Sequence, residues 1–122
     1  MSDVTTAELA GRLGDPELVL LDVREPEEFS GDLCSPCDPR GGHIPGARNL
    51  DLASLFAAPG PEAVRELVGA PAGAEVIAYC HSGSRSAIAA HVLTAAGYVA
   101  RNYVGSWHEW SRDPELPAIR GG

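Results

Sequence analysis

The chain has no long apolar run. None approaches the roughly 20 residues that a membrane-spanning helix needs. The N-terminal stretch MSDVTTAEL also lacks the basic and long apolar regions of a secretory signal. A cytoplasmic protein with no membrane partner is therefore expected. Basic charge is scarce as well, with 9 Lys and Arg against 17 Asp and Glu and a net charge of -8. The acids are dispersed, so there is no acidic tail. Such a surface repels a polyanionic backbone, which argues against a general nucleic-acid role. It does not exclude a small anion, because local donors can outweigh net charge. Cysteine is sparse and odd in number, with 3 in all. That suits a reducing compartment better than a disulfide scaffold and leaves at least one thiol unpaired. Repeats and linkers are absent too.

What remains is enough for one domain over residues 1–122. The apolar fraction of 44% supports an ordinary core, and a chain this long buries about two-thirds of its unfolded surface. Asp3 to Gly14 reads as a short strand or lead-in and then a helix, with Thr5 or Thr6 as cap and Gly14 as its end. Leu18 to Val23, LVLLDV, is a nearly continuous apolar run that fits a buried parallel strand. Pro26 suits the first turn of a helix over REPEEF. Ser30 to Gly42 is a loop rich in Gly, Pro, Asp and Cys. GHIPGARNL gives a turn and a short strand, and Leu52, Leu55 and Phe56 suggest a short apolar helix face. Pro61 to Gly69 is a helix, Glu75 to Tyr79 a strand, and Arg85 to Ala96 the strongest helix. Ile88, Val92 and Leu93 are expected to form its apolar face. Val99 to Val104 is a last strand and GSWHEWSRD a short helix or turn; the tail PAIRGG carries little signal. Strands alternating with helices predict an α/β layer fold with a parallel sheet.

Cys80 ends a strand, where the reactive edge of an open α/β sheet lies. The following helix begins near Ser84 to Ser86, and its first amides lack partners within the helix. If residues 80–85 curl back, those amides form an anion nest backed by the helix dipole. Gly83 lets the backbone close tightly, and Ser82, Ser84 and Ser86 can add hydroxyl donors. This setting lowers a thiol pKa and stabilises the outer sulfur of a persulfide. Arg85 adds a permanent charge at a helix N-terminus, where a cation does not help the helix. The plain alternative for Cys80 is a small buried apolar residue. The polar loop and Arg85 favour chemistry, although the pattern alone also suits phosphoryl transfer. It is not a P-loop, for Gly-Lys-Ser/Thr is missing.

Four segments in order, LLDVREPEEF, GGHIPGARNL, VIAYCHSGSRSA and RNYVGSWHEW, resemble the rhodanese, or sulfurtransferase, family. GSWHEW is most similar to the catalytic second domain of two-domain thiosulfate or 3-mercaptopyruvate sulfurtransferases. The resemblance implies a five-stranded parallel sheet with helices on both faces. It implies sulfane sulfur held as a persulfide on Cys80, with no other cofactor. The donor is a small anion such as thiosulfate; the acceptor is a thiol, a protein thiol or cyanide. The amides of residues 81 to 85, His81 among them, would cradle the sulfur, with Arg85 closing the loop. Asp22 and Arg24 match a structural Asp-x-Arg brace, and His43, Pro45 and Gly46 match a structural turn. Only four residues separate Cys80 from Arg85, one fewer than in related dual-specificity phosphatases. The smaller nest suits sulfur better than a phosphoryl group. Glu28 stands where two-domain thiosulfate enzymes often carry a base, and Val104 where an aspartate is common. A monomer or weak dimer is expected.

His81 reads either as a proton shuttle or as an exposed loop histidine. Cys34 and Cys37 form CSPC, read as a chance insertion, a redox or sulfur-relay pair, or half of a zinc site. Zinc is the least favoured of these, and its other ligands would come from His43, His81, Asp38 or Cys80. Trp107 and Trp110 read as core, with one of them possible at the substrate mouth. Arg40 and Arg48 are either surface residues or a local positive field, and His108 and Glu109 have no assigned partner. Two further functions compete with the enzyme: a non-catalytic persulfide carrier or binding module serving a partner protein, and a phosphatase or arsenate reductase.

Overall fold

The computed structural model describes residues 3–121. Four strands, β1 (Leu18–Asp22), β2 (Arg48–Asn49), β3 (Glu75–Tyr79) and β4 (Val99–Asn102), form one sheet in the order β2-β1-β3-β4. Every pairing is parallel. Among the described residues, six helices connect and cover it: α1 (Thr6–Ala10), α2 (Pro26–Ser30), α3 (Leu52–Ala57), α4 (Pro61–Val68), α5 (Ser84–Ala95) and α6 (Ser106–Trp110).

The two central strands are buried on both sides, and their side chains alternate between two cores. Val19, Leu21, Val76, Ala78 and Cys80 meet Leu55 of α3, Val64 and Val68 of α4, and Ala89 and Leu93 of α5. Leu20, Ile77 and Tyr79 turn the other way, toward Leu9 of α1 and Trp107 and Trp110 of α6. Each fully buried leucine or isoleucine among them contributes about 1.5–3 kcal/mol through removal from water.

The implied fifth strand is corrected: among the described residues the sheet has four. Val4 makes one isolated parallel bridge to Tyr103, its N–H donating to the Asn102 carbonyl at 2.9 Å. The Thr5 hydroxyl then accepts the Glu8 N–H at 3.1 Å and starts α1, so the chain leaves the sheet edge before a ladder can grow. On α5 the buried stripe is Ser86, Ala89, Ala90 and Leu93, and Ile88 is exposed. Small residues at i, i+3 and i+4 let the helix lie close to the sheet and turn Ile88 outward. Phe56 is also exposed, leaving Leu55 as the buried anchor of α3.

Both tryptophans are buried, with Nε1–H groups donating to the Arg40 carbonyl at 2.9 Å and the Pro117 carbonyl at 2.8 Å. Neither stands at a mouth. Arg40 reaches the end of α6 and donates to the carbonyls of Trp110, Ser111, Asp113 and Leu116. Arg48 does the same for the Val68 carbonyl at the end of α4. Both arginines thus satisfy orphan helix carbonyls. The tail does carry structure: Ile119 and His43 exchange backbone hydrogen bonds of 2.8 and 3.0 Å. Among the described residues, no helix is long and apolar enough to cross a membrane.

Candidate active site

Cys80 follows β3 directly, on the side of the sheet that α5 covers. Its residue is 1% exposed, as the core reading expects, yet its sulfur has polar company. Sγ accepts the Gly83 N–H at 3.1 Å, the Ser86 N–H at 3.4 Å and the Ser86 hydroxyl at 3.3 Å. Ser86 is the third residue of α5, so the sulfur occupies the place of a capping oxygen. The helix cap itself is Gly83, which has no side chain to act as acceptor. Ser84 and Arg85 complete a first turn whose amides have no acceptor within the helix.

Gly83 is needed here on two counts. Its φ is 95°, in the left-handed region, and a Cβ would lie 2.6 Å from the Val104 carbonyl oxygen. The Asn102 side chain donates to the Gly83 carbonyl at 3.2 Å and ties the loop to β4. Of the three loop serines, Ser86 alone brings its hydroxyl to the sulfur; Ser82 and Ser84 are exposed.

Burial pushes the Cys80 thiol pKa up. The Ser86 hydroxyl, then the backbone N–H groups of Ser86, Gly83 and Ser82, outweigh it and hold the pKa below the ordinary thiol value. The Gly83 and Ser86 N–H groups and the Ser86 hydroxyl thus converge on the sulfur.

Arg85 is not an isolated cation at the mouth. Its guanidinium grips Glu28 of α2 with two bonds of 2.9 and 3.1 Å. The carboxylate is fixed further by the Glu25 N–H at 3.0 Å, part of the α2 capping box. Burial pushes the Glu28 pKa up, but Arg85 and the Glu25 N–H bring it below its usual value. Arg85 is raised in return, chiefly by its bonds to Glu28. Glu28 thus offsets much of the local positive charge expected from Arg85.

Ser106 was not singled out in the sequence. Its hydroxyl accepts the Cys80 N–H at 3.0 Å and donates to the Tyr103 carbonyl at 2.8 Å. Its φ of 54° is the one positive value for a non-glycine among the described residues. The available signal is the GSW segment, which reads as a short helix or turn and carries part of the family resemblance. The Trp107 N–H donates to the Cys80 carbonyl at 2.9 Å, so α6 holds the cysteine backbone at two points.

Asp22 and Arg24 form a buried pair, with bonds from Nε and Nη2 of 2.7 to 3.1 Å. Arg24 also donates to the Gly42 carbonyl at 2.7 Å and lies 5.2 Å from the Trp107 ring centroid. The pair braces the 40s loop against the sheet and α6. His43 stacks on Phe29 at 3.6 Å, and its Nδ1 lies 2.7 Å from the Phe29 carbonyl oxygen, away from the sulfur's donors.

His81 is paired rather than loose, with Nε2 2.9 Å from Asp38 Oδ2. Cys34 and Cys37 are exposed free thiols. Cys37 Sγ lies 4.0 Å from His81 Nε2, whereas Cys34 Sγ approaches the Ser35 and Asp38 carbonyl oxygens at 3.6 and 3.8 Å. An open depression of about 700 Å³ lined by Pro59, Gly60, Pro61, Glu62, Arg65 and Glu66 includes no residue of the Cys80 loop, so chemistry rather than volume marks the site.

Comparison with known proteins agrees with this geometry. The family profile described as Rhodanese-like domain matches residues 5–113. The chain is 41% identical to SseB of Mycobacterium tuberculosis over 123 residues, covering 95% of this chain and 42% of SseB. It is 37% identical to a "probable 3-mercaptopyruvate sulfurtransferase" of Pseudomonas aeruginosa, covering 97% of this chain and 44% of that protein. A crystal structure described as a "probable thiosulfate sulfurtransferase" superposes with a TM-score of 0.82 at 48% identity, over 96% of this chain and 47% of the other. The chain spans less than half the length of these relatives. With its parallel sheet, its helices on both faces and the cysteine nest where β3 meets α5, the chain belongs to the rhodanese-like domain family.

Proposed function

We propose that residues 1–122 act as a single rhodanese domain, a sulfurtransferase moving sulfane sulfur through a persulfide on Cys80. The observation that carries the reading is the set of hydrogen bonds from Gly83 and Ser86 onto Sγ. They stabilise negative charge on a thiolate, and the first-turn amides of Ser84 and Arg85 stand ready for an added outer sulfur. His81, Ser82, Gly83, Ser84 and Ser86 form the loop around that charge, and Arg85 closes it.

In the first step the Cys80 thiolate attacks the outer sulfur of a thiosulfate-like donor. The donor's S–S bond breaks, sulfite leaves with the bonding electrons, and a new S–S bond joins the outer sulfur to Cys80. In the second step cyanide or a thiolate attacks that outer sulfur. The new bond breaks and the electrons return to Cys80 as thiolate. Two covalent half-reactions mean ping-pong kinetics. No general base is required if Cys80 is already ionised. Asp22, Arg24 and His43 serve the scaffold in this reading. Donor and acceptor belong to it as well: a small anionic sulfur donor, and cyanide, a thiol or a protein thiol. So do a cytoplasmic location, where thiols stay reduced, and a monomer or weak dimer.

The test is turnover of thiosulfate and cyanide against hydrolysis of an aryl phosphate. Faster sulfur transfer supports the reading. Faster phosphate hydrolysis sinks it, and persulfide formation only beside a partner protein favours the carrier.

Two further outcomes follow. The thiolate must form before attack, so the thiosulfate kcat/KM should rise with pH and reach half-maximum below the ordinary thiol pKa of about 8.5. A half-maximum at or above that value contradicts the nest. The same shift adds stability in full above the unfolded thiol's pKa, and this is lost as pH falls through the lower folded pKa. Second, Glu28→Gln removes the carboxylate that occupies Arg85. The KM for thiosulfate should fall about fivefold at low salt, the effect of one charge felt at short range through water. Added salt should shrink the difference. An unchanged KM would mean that Arg85 takes no part in donor binding.

A further inference from the structure

We infer that Cys37 Sγ, the Asp38 carboxylate, His81 Nε2 and His108 Nδ1 form a four-ligand site for a zinc-class divalent cation. These four atoms lie within 4.8 Å of one another. Measured to the one oxygen Asp38 Oδ1, His81 Nε2 is 3.1 Å away and His108 Nδ1 3.7 Å. Cys37 Sγ is 3.8 Å from Asp38 Oδ1 and 4.0 Å from His81 Nε2. Tetrahedral ligands at ordinary Zn–S, Zn–N and Zn–O lengths sit about 3.3–3.6 Å apart. The observed spacings bracket that range, so small side-chain movements complete the shell.

Three parts of the fold converge here. The loop after α2 brings Cys37 and Asp38, the segment after β3 brings His81, and α6 brings His108. Backbone bonds set this convergence. The His108 N–H donates to the His81 carbonyl at 2.8 Å, which puts the two imidazoles at the same place. Their rings meet edge to face at 5.5 Å. Arg112 fixes the incoming loop through the Cys37 carbonyl, and reaches the His108 carbonyl at 2.7 Å.

The donor set selects the ion. One thiolate, two imidazoles and one carboxylate suit zinc, whereas calcium and magnesium prefer oxygen alone. The thiolate and carboxylate together neutralise a divalent charge. Arg112 Nη1, 3.3 Å from Asp38 Oδ1, then supports the carboxylate from outside the shell. The site differs from one centred on the CSPC pair: it takes Cys37 alone from that motif, adds His108 and leaves Cys80 free. A bound ion would staple the CSPC loop to the residue following Cys80. It would also withdraw Cys37 from the thiols able to accept sulfur.

The test uses the reduced full chain titrated with cobalt(II), followed by displacement with zinc. One equivalent should bind and give a thiolate-to-cobalt charge-transfer band. Cys37→Ser should abolish the band, and His108→Ala should weaken binding at least about tenfold. Cys34→Ser and Cys80→Ser should leave both unchanged. Cys37 and His108 are exposed, so unchanged far-UV circular dichroism separates lost ligation from lost folding. Absence of the band, or its equal loss in Cys34→Ser or Cys80→Ser, overturns the assignment.

Discussion

Cys80→Ser should lower the rate of sulfur transfer from thiosulfate by at least about a thousandfold, as loss of a covalent nucleophile does. The substitution is nearly isosteric, and the Gly83 N–H, Ser86 N–H and Ser86 hydroxyl can still bond an oxygen at that place. Stability should therefore change little. What disappears is a group that ionises below the ordinary thiol value and can carry a sulfur. Ser82→Ala and Ser84→Ala should slow transfer far less, because both side chains are exposed and the loop acts through its backbone. Steady-state rates with thiosulfate and cyanide check the series. Equal rates for wild type and Cys80→Ser would refute the assignment.

Arg24→Met should destabilise the fold by about 3–5 kcal/mol. The reason is not the loss of an attraction alone. Asp22 is fully buried, and without Arg24 its carboxylate is left with no cation beside it. Arg24 also satisfies the Gly42 carbonyl and faces Trp107, so the 40s loop loosens as well. Against a total stability of about 5–15 kcal/mol for a small domain, this is a large fraction. Replacing both residues, Asp22→Leu with Arg24→Met, should recover much of the loss, since no buried charge is then left over. Guanidinium denaturation measures both variants. A loss below about 1 kcal/mol for Arg24→Met would show that the pair is not the brace described.

The framework of the fold was legible because its signals are local. LVLLDV and EVIAY are apolar runs flanked by turn residues, and both are central strands. The alanine-rich stretch closed by Gly97 is α5, within one residue at each end. The same locality put Cys80 at the strand end and Gly83 at the helix start. The fifth strand failed because a family pattern counts strands, while one capped threonine decides how many rungs form. Ile88 was misread since side-chain size was taken as the guide to α5's buried face, where close approach selected alanines.

Other features depend on residues far apart in the chain, and no periodicity reports such pairs. Glu28 and Arg85 are 57 positions apart, and their bidentate bond offsets the positive charge expected at the mouth. Arg40 reads from the sequence as a surface residue or part of a local positive field, but it closes α6 from about 70 positions away. Asp38 was noted only as a possible ligand, yet its carboxylate collects His81, His108 and Arg112. Ser106 supports the Cys80 backbone from 26 residues on. In each case the residue type was visible and the partner was not.

Intact mass of the reduced protein after incubation with thiosulfate tests the central claim most directly. The wild-type chain should gain one sulfur atom, the gain should vanish on adding cyanide, and Cys80→Ser should gain none. A sulfur adduct of equal yield on Cys80→Ser, or turnover with no adduct on the wild type, would contradict the persulfide at Cys80.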